Sequence, residues 1–360
     1  MQERRRGSAG MFPRTRKPWT DSRPPICKRS KECESAFISS SRVGTICLLF
    51  KMQHEVNTMI EFRPISISDK DVIVKRLRAE NSRSADYNFG NLIMWDSRFR
   101  KHIAVVEDRL IIDIRNSRCP RLECPYYVFP VGSGALRPAI DFMKGYADQK
   151  GCSFSMRGVT EAQRTLLEKE FPGRFTFSET RNLFDYIYLA EKLSTYAGKK
   201  LHAKRNFCNR FEKNYNWDFV RLTPDLIPGC LELFDQWRVD ADISADSVSD
   251  EYNAITTGFH NWDALELEGG VLRVDGEVIG FTVGERASSD TFDVHFEKAL
   301  TSYSGAYAMV CREFAKQIIH DHPEVVYINR EDDMGLENLR KAKLGYYPEY
   351  LLKKYTAKEK

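Results

Sequence analysis

From Phe62 onward, apolar positions recur at periods of two or about 3.6, in segments separated by Gly, Pro and Asp. Residues 62–67 read as a short strand. Ser68 is placed to cap a helix carrying Val72, Ile73 and Leu77, and Ser84 leads a second helical stretch through Tyr87, Leu92 and Trp95. Strands at 103–107 and 110–115 form a hairpin over Asp108-Arg109, followed by a strand at 126–131. Gly132-Ser133-Gly134 enters a helix that Gly151 closes, and 153–157 is a strand. Thr160 and Gln163 form a capping box for a helix ending near Phe171, and 175–189 holds the last strand or strands.

The same order follows once more. A strand at 217–222 precedes a helix started by Thr223-Pro224, and 249–262 is a second helix. Strands at 270–274 and 278–284 meet over Asp275-Gly276, and 291–297 is the third strand. Helix 305–320, strand 325–329, a helix at 336–344 ended by Gly345, and strand 350–355 complete it. Each half reads β-α-α-β-β-β-α-β-α-β, an order that resembles the GNAT acyltransferase fold. The expected class is therefore α/β (α+β), with two tandem GNAT-like domains built on mixed sheets. The expected division is a tail at 1–58, a first domain at 59–190, and a linker helix with a second domain at 191–360. Ligands in such sheets favour strand ends where the chain reverses, here 131–134 and 297–305.

Charge changes the picture of the N-terminus. Residues 1–58 hold 12 Lys and Arg against 5 Asp and Glu, a balance of +7, which leaves −3 for the remainder of a chain of net charge +4. A globally basic nucleic-acid surface is excluded for the folded part. The Pro/Arg/Ser-rich tail lacks periodicity and is expected to be disordered, either a basic arm for RNA or, the favoured reading, an upstream extension ahead of a fold that starts near Met59. The apolar run 46–50 is too short for a secretory signal or a membrane span. The nine scattered Cys contain no Cys-x-x-Cys pair, so reduced thiols in a cytoplasmic protein are expected, without a zinc site.

Three features carry chemistry. In strand 291–297, Phe292, Val294 and Phe296 alternate with Asp293, His295 and Glu297, so the polar triplet shares one face. It is either a general acid–base set or a hydrogen-bonded network joining the halves. No accompanying His or Cys cluster points to a metal. In helix 201–215, Leu201, Phe207, Cys208, Phe211 and Tyr215 form an apolar stripe. Lys204 falls inside it and Lys200 beside it, while His202, Arg205, Arg210 and Lys213 lie opposite. An inward Lys either snorkels or meets an anion at a cleft. The third feature is Asn329-Arg330-Glu331-Asp332-Asp333-Met334-Gly335-Leu336, where a strand ends and a helix begins. Asp332 or Asp333 is expected to cap the helix, Asn329 and Arg330 sit at the strand end, and Arg340 and Lys343 follow on the helix. Lys204, Arg330 and Lys343 are expected to converge on an electropositive cleft. Neither half has the full acyl-CoA pattern; Gly305 and Gly132-Ser133-Gly134 are its partial matches, the latter also an ordinary turn.

The run from Asn329 to Pro348, the segment Gly198–Asn206 followed by Phe211, and Tyr87-Asn-Phe-Gly-Asn-Leu-Ile-Met-Trp95 together resemble motifs of the phosphatidylglycerol lysyltransferase (lysylphosphatidylglycerol synthase) C-terminal domain family. The resemblance covers about residues 59–356. It implies a tandem GNAT fold related to the Fem aminoacyltransferases and transfer of an aminoacyl group from aminoacyl-tRNA to an acceptor, with no cofactor. The lipid-modifying members usually carry transmembrane helices ahead of this domain, so the acceptor is left open, an anionic small molecule or lipid head group among the candidates. The roles that follow are His295 or Glu297 as base, Asn329 and Arg330 at the oxyanion or acceptor, and Lys200, Lys204, Arg205 and Lys343 at tRNA phosphates. Asp293, Gly305, Glu331 and Arg340 complete the candidate site. The alternatives are an N-acyltransferase using acyl-CoA, or a noncatalytic tandem GNAT protein that binds a ligand.

Overall fold

The computed structural model describes residues 60–116, 124–240 and 245–360. The expected tail, residues 1–58, and the expected start at Met59 lie outside the described residues.

The first half opens with β1 (Arg63–Pro64) and α1 (Lys70–Glu80). The cap ahead of α1 is Ser66 rather than Ser68: a 3-10 turn at Ile67–Asp69 intervenes, and Asp69 accepts from the Ser66 backbone N–H. After α2 (Phe89–Met94) come β2 (Phe99–Val106) and β3 (Arg109–Asn116). They turn at Glu107 and Asp108, both with positive φ, as a tight hairpin requires. The expected strand at 126–131 is split into β4 (Tyr126–Tyr127) and β5 (Val131–Gly132). Gly132 and Gly134 lie so close to this hairpin that a Cβ would meet the carbonyl oxygens of Asp108 at 2.1 Å and Glu107 at 1.2 Å. The Gly-Ser-Gly segment is thus a packed turn. Then follow α3 (Leu136–Gln149), β6 (Ser155–Thr160) and α4 (Glu161–Glu170), the last opened by the Thr160/Gln163 capping box. β7 (Phe175–Glu179) and β8 (Asp185–Leu189) end the half.

A short α5 (Ala190–Thr195) and the linker helix α6 (His202–Asn214) lead to β9 (Trp217–Arg221), α7 (Ile227–Asp240) and α8 (Ala245–His260). β10 (Glu268–Val274), β11 (Glu277–Arg286) and β12 (Thr291–Ala299) form a meander. The chain closes with α9 (Ala306–Asp321), β13 (Tyr327–Asn329), α10 (Glu337–Leu344), β14 (Tyr350–Leu352) and β15 (Lys354–Glu359). Among the described residues no helix is long and apolar enough to cross a membrane.

The two sheets repeat one plan. The first runs β1-β2-β3-β4-β6-β15-β7, with β5 alongside β3, and the second runs β9-β10-β11-β12-β13-β8-β14. In each, the fourth and fifth strands are parallel and their other neighbours antiparallel. This is the tandem GNAT architecture. The sixth strand of each sheet comes from the other half, however: β15 inserts between β6 and β7, and β8 between β13 and β14. The division expected at 190/191 therefore does not follow the sheets. The physical reason is pairing: each sheet has a gap that its own half leaves unfilled, and the crossing strand satisfies both edges of it.

Two cores result. One joins the first half to the α7–α8 face of the second sheet through residues such as Met94, Ile112, Phe234 and Phe281. The other lies under α5, α6 and α9, around Phe211, Phe292, Phe314 and Ile328. Phe207, expected in the apolar stripe of α6, is exposed.

The expectation of reduced thiols fails for one pair: Cys124 and Cys152 form a disulfide. Each Cys sits just ahead of one of the parallel strands β4 and β6, so the α3 crossover brings their Cα atoms to 5.4 Å. Cys208, Cys230 and Cys311 are free and buried, and Cys27, Cys33, Cys47 and Cys119 lie outside the described residues.

Candidate functional site

The polar triplet of β12 is divided between two faces. Against β11, Val283 pairs with Phe296 while Gly284 pairs with Val294, so His295 is the extra residue of a bulge. A Cβ on Gly284 would lie 2.1 Å from the Asp293 carbonyl oxygen, so glycine permits the close approach there. The alternation expected from sequence holds up to the bulge and inverts after it. Phe292 packs on Phe314 of α9, whereas Phe296 packs on Trp95 of the first half. Asp293 and His295 face the first half; Glu297 faces α6 and α9.

The first cluster joins the halves. His295 Nδ1 lies 2.9 Å from Glu331 Oε1 and 3.7 Å from Asp293 Oδ2, and its Nε2 lies 3.0 Å from Glu285 Oε1. The α2 motif supplies the other partners. Asn88 Nδ2 donates to Asp293, Asn91 Nδ2 donates to Glu331 at 3.0 Å, and the Gly90 and Asn91 N–H groups donate to Glu285 at 3.1 Å. Burial would lower the His295 pKa, but the Glu285 and Glu331 carboxylates outweigh it and hold it well above its ordinary value. Both ring nitrogens face carboxylates at hydrogen-bond distance, so neither is open to an acceptor's proton and the geometry does not fit His295 as a base. Burial holds the Asp293 carboxyl well above the usual carboxylate range, aided by neighbouring Glu331. Asp293, His295 and Glu331 each bring one potential ligand atom within 4.8 Å of the others.

Asn329 belongs to this side. It donates to the Arg83 carbonyl at 2.7 Å and to Asp185 at 3.2 Å, and accepts from the Glu331 N–H. Lys354, at the start of β15, bonds Asp185, at the start of β8, at 2.8 Å, and both are buried. The two exchanged strands are thus pinned to each other where they cross.

The second cluster occupies a fork in the sheet. β12 and β13 pair only over 291–293 and 327–329; β12 then runs on to Ala299 while the chain at Arg330 parts from β12 and stays bonded to Tyr186 of β8. Into this fork project Glu297 and Arg330, joined at 2.8 Å and each about nine-tenths buried. The Arg330 guanidinium lies 4.5 Å from the Tyr346 ring centroid and the Lys204 ammonium 3.7 Å from the same centroid. Arg330 Nη1 is buried and has no partner among the described residues. Burial pushes the Glu297 carboxyl up, against the pull of Arg330, Lys204, Lys343 and Lys298. Burial, with Arg330 beside it, lowers Lys204. The neighbouring Cys311 thiol is pushed up to about 11 by burial, so it is protonated at neutral pH.

Of the three cations expected to converge, Lys204 and Arg330 do. Lys343 is engaged by the backbone: its ammonium donates to the carbonyls of Arg330 and Asp332, pinning the loop. The remaining candidates have local partners. Arg205 donates to the carbonyls of Tyr196 and Gly198, and Arg340 pairs with Asp333. Lys200 is exposed, 5.8 Å from the Tyr347 ring. Gly305 opens α9 with φ of +99°, and a Cβ there would sit 2.9 Å from the Phe207 carbonyl oxygen, so it serves the packing of α6 on α9. Asp332 and Asp333 do not cap α10, whose N-cap is Leu336. Their carboxylates accept from the N–H groups of Met334 and Gly335, which shapes the loop instead.

Sequence reasoning missed Glu285, Asp185 and Lys354, which partner residues far away in the chain. It also missed Tyr188 and Cys311, which wall the fork with Tyr346, a residue of the Asn329–Pro348 run. Asn88 and Asn91 fell within the Tyr87–Trp95 motif, and that motif was their only signal.

Comparison with known proteins agrees with this architecture. A conserved protein of unknown function from Bacteroides thetaiotaomicron is 39% identical, over 84% of this chain and 100% of that one, with a TM-score of 0.78. The C-terminal domain of a putative lysylphosphatidylglycerol synthetase from Agrobacterium fabrum superposes with a TM-score of 0.58 at 13% identity, covering 82% and 93% of the two chains. FemX does so at 0.55 and 10% identity, covering 82% and 97%. At these identities the last two show the fold alone. An uncharacterized protein from Mycoplasmoides gallisepticum is 28% identical over 48% of this chain, a match that spans 56% of that relative's length. Residues 78–358, which carry both clusters, match the family described as phosphatidylglycerol lysyltransferase, C-terminal, and the chain belongs to that family.

Proposed function

We propose that the protein is an aminoacyltransferase that moves an aminoacyl group from aminoacyl-tRNA to an acceptor nucleophile at the β12–β13 fork. The observation that carries this reading is the Glu297–Arg330 pair: a carboxylate raised by burial beside a guanidinium with one buried, unpartnered nitrogen. The acceptor attacks the ester carbonyl carbon. Glu297 takes the acceptor's proton, a step that a raised carboxyl performs better than an ordinary one. Arg330 Nη1 donates to the oxygen that becomes negative in the tetrahedral intermediate. Collapse expels the ribose oxygen of the tRNA, which takes the proton back from Glu297 and restores the carboxylate. Lys204 places a second positive charge at the fork and favours an anionic donor or acceptor. Membership of the lysyltransferase family supports the aminoacyl chemistry.

The test is transfer of radiolabelled amino acids from a charged tRNA pool to lipid, cell-wall precursor and peptide acceptors. Glu297→Gln is expected to lower kcat by about 10²–10⁴-fold with little change in tRNA binding. Failure of every acceptor, or a wild-type rate in Glu297→Gln, would overturn the assignment.

A further inference from the structure

The network at the join between the halves leaves buried acceptors without donors. Three carboxyl groups, Asp293, Glu285 and Glu331, surround the imidazole of His295. Asp293 is fully buried, yet its Oδ1 has no hydrogen-bond partner among the described residues. Asn88 is 2% exposed, and its Oδ1 is likewise unpartnered although the amide lies against Asp293. Buried acceptors without donors are costly, and two on side chains in contact point to something that binds oxygen.

We propose that Asp293, His295 and Glu331 bind a divalent transition-metal ion of the zinc class through Asp293 Oδ, His295 Nδ1 and Glu331 Oε1. Two ligands at about 2.1 Å from a tetrahedral ion stand about 3.4 Å apart. Nδ1 lies 2.9 Å from Glu331 Oε1 and 3.7 Å from Asp293 Oδ2, which brackets that spacing. Asn88 supplies a fourth oxygen once its amide turns over, an exchange of two nearly isosteric ends. The ion takes the place of a hydrogen on Nδ1, between it and the two carboxylates.

The surroundings are those of a built ligand set. With Nδ1 on the ion, Nε2–H donates to Glu285, and Glu285 is fixed in turn by the Gly90 and Asn91 N–H groups. A carboxylate behind a ligating histidine sets its tautomer and orientation. The Glu331 side chain retains 21% exposure, which gives the ion an entry path. Glu331 also follows Arg330 directly and holds a positive φ of 54°. An ion anchoring Glu331 on one face of the sheet therefore fixes where Arg330 emerges on the other. This site stands independently of the aminoacyl-transfer reading.

The test starts from the full chain stripped with EDTA and titrated with Zn²⁺ against a chromophoric chelator. The expected result is one saturable site, lost by at least 100-fold in Glu331→Gln and in the Asp293→Asn/Glu331→Gln double variant. Glu285→Gln should retain the stoichiometry and weaken binding by about 10–100-fold, as loss of a carboxylate behind the ligand does. A second measurement does not depend on variants that fold: Co²⁺ bound to the wild-type chain should give a spectrum without a thiolate charge-transfer band. No saturable site below millimolar Zn²⁺, unchanged binding in the double variant, or a thiolate band from the bound Co²⁺ would each overturn the proposal.

Discussion

Replacing Lys354 by Met tests the strand exchange at its crossing point. Lys354 Nζ lies 2.8 Å from Asp185 Oδ1 and 2.8 Å from Asp86 Oδ2, and the Lys354 and Asp185 side chains are 2% and 1% exposed. Asp86 is 37% exposed and can be resolvated. Asp185 cannot: without Lys354 it keeps only the Ala85 N–H at 3.0 Å and the Asn329 amide at 3.2 Å. Breaking one side of such a buried pair costs about 3–5 kcal/mol, against a stability of about 5–15 kcal/mol for an ordinary domain. Burial already raises the Asp185 carboxyl, and Lys354 pulls it down. Loss of Lys354 releases that restraint. An acid whose folded pKa lies above its unfolded value is favoured in the folded state below the unfolded pKa, and that advantage is lost as pH rises through the folded pKa. The deficit of Lys354→Met should therefore be largest at neutral to alkaline pH and shrink on acidification. Adding Asp185→Asn removes the stranded charge while keeping an acceptor for Ala85, and should recover at least half of the loss. The assay is urea unfolding of the wild type, both single variants and the double variant at several pH values. The midpoints should move and the m-value should not. A cost below about 1 kcal/mol for Lys354→Met, or no recovery in the double variant, would refute the view that this pair pins the exchanged strands.

Gly284→Ala forces a Cβ to 2.1 Å from the Asp293 carbonyl oxygen at the bulge, and should destabilise by about 1–3 kcal/mol in the same assay. Reducing the Cys124–Cys152 disulfide, which closes a sequence separation of 28, should cost about 3–4 kcal/mol, read as the difference in urea midpoint with and without dithiothreitol. Thr160→Ala removes the cap of α4 and should cost about 1 kcal/mol in the unfolding midpoint. Lys204→Ala removes a cation from the Tyr346 ring and should weaken tRNA binding with a flatter salt dependence; an unchanged salt slope would separate Lys204 from the substrate.

The amphipathic period, the capping box at Thr160, the Asp275-Gly276 turn and the linker helix were legible in the sequence because they are set by residues within a few positions of each other. So was the repeat, since equal element order in two halves is a property of the chain. The motifs at Tyr87–Trp95 and Asn329–Pro348 supply residues to the two clusters. Only the tertiary structure decided how those residues are arranged. Alternation along β12 is a local rule, and it failed at His295 because the bulge depends on how β11, through Gly284, approaches from a separate strand. The swap of β8 and β15 between sheets was invisible for a related reason. A strand's pattern shows which face it buries but not which edge it fills, so the partner of Lys354 lay 169 residues away at Asp185. Cys124 and Cys152 likewise came together through the parallel pairing of β4 and β6. The charges of Glu297 and Arg330 could be read as polar residues at strand ends. Their pairing in a fork, with burial raising one and a buried nitrogen of the other without a hydrogen-bond partner among the described residues, arises from long-range packing, which fixes distance and dielectric together.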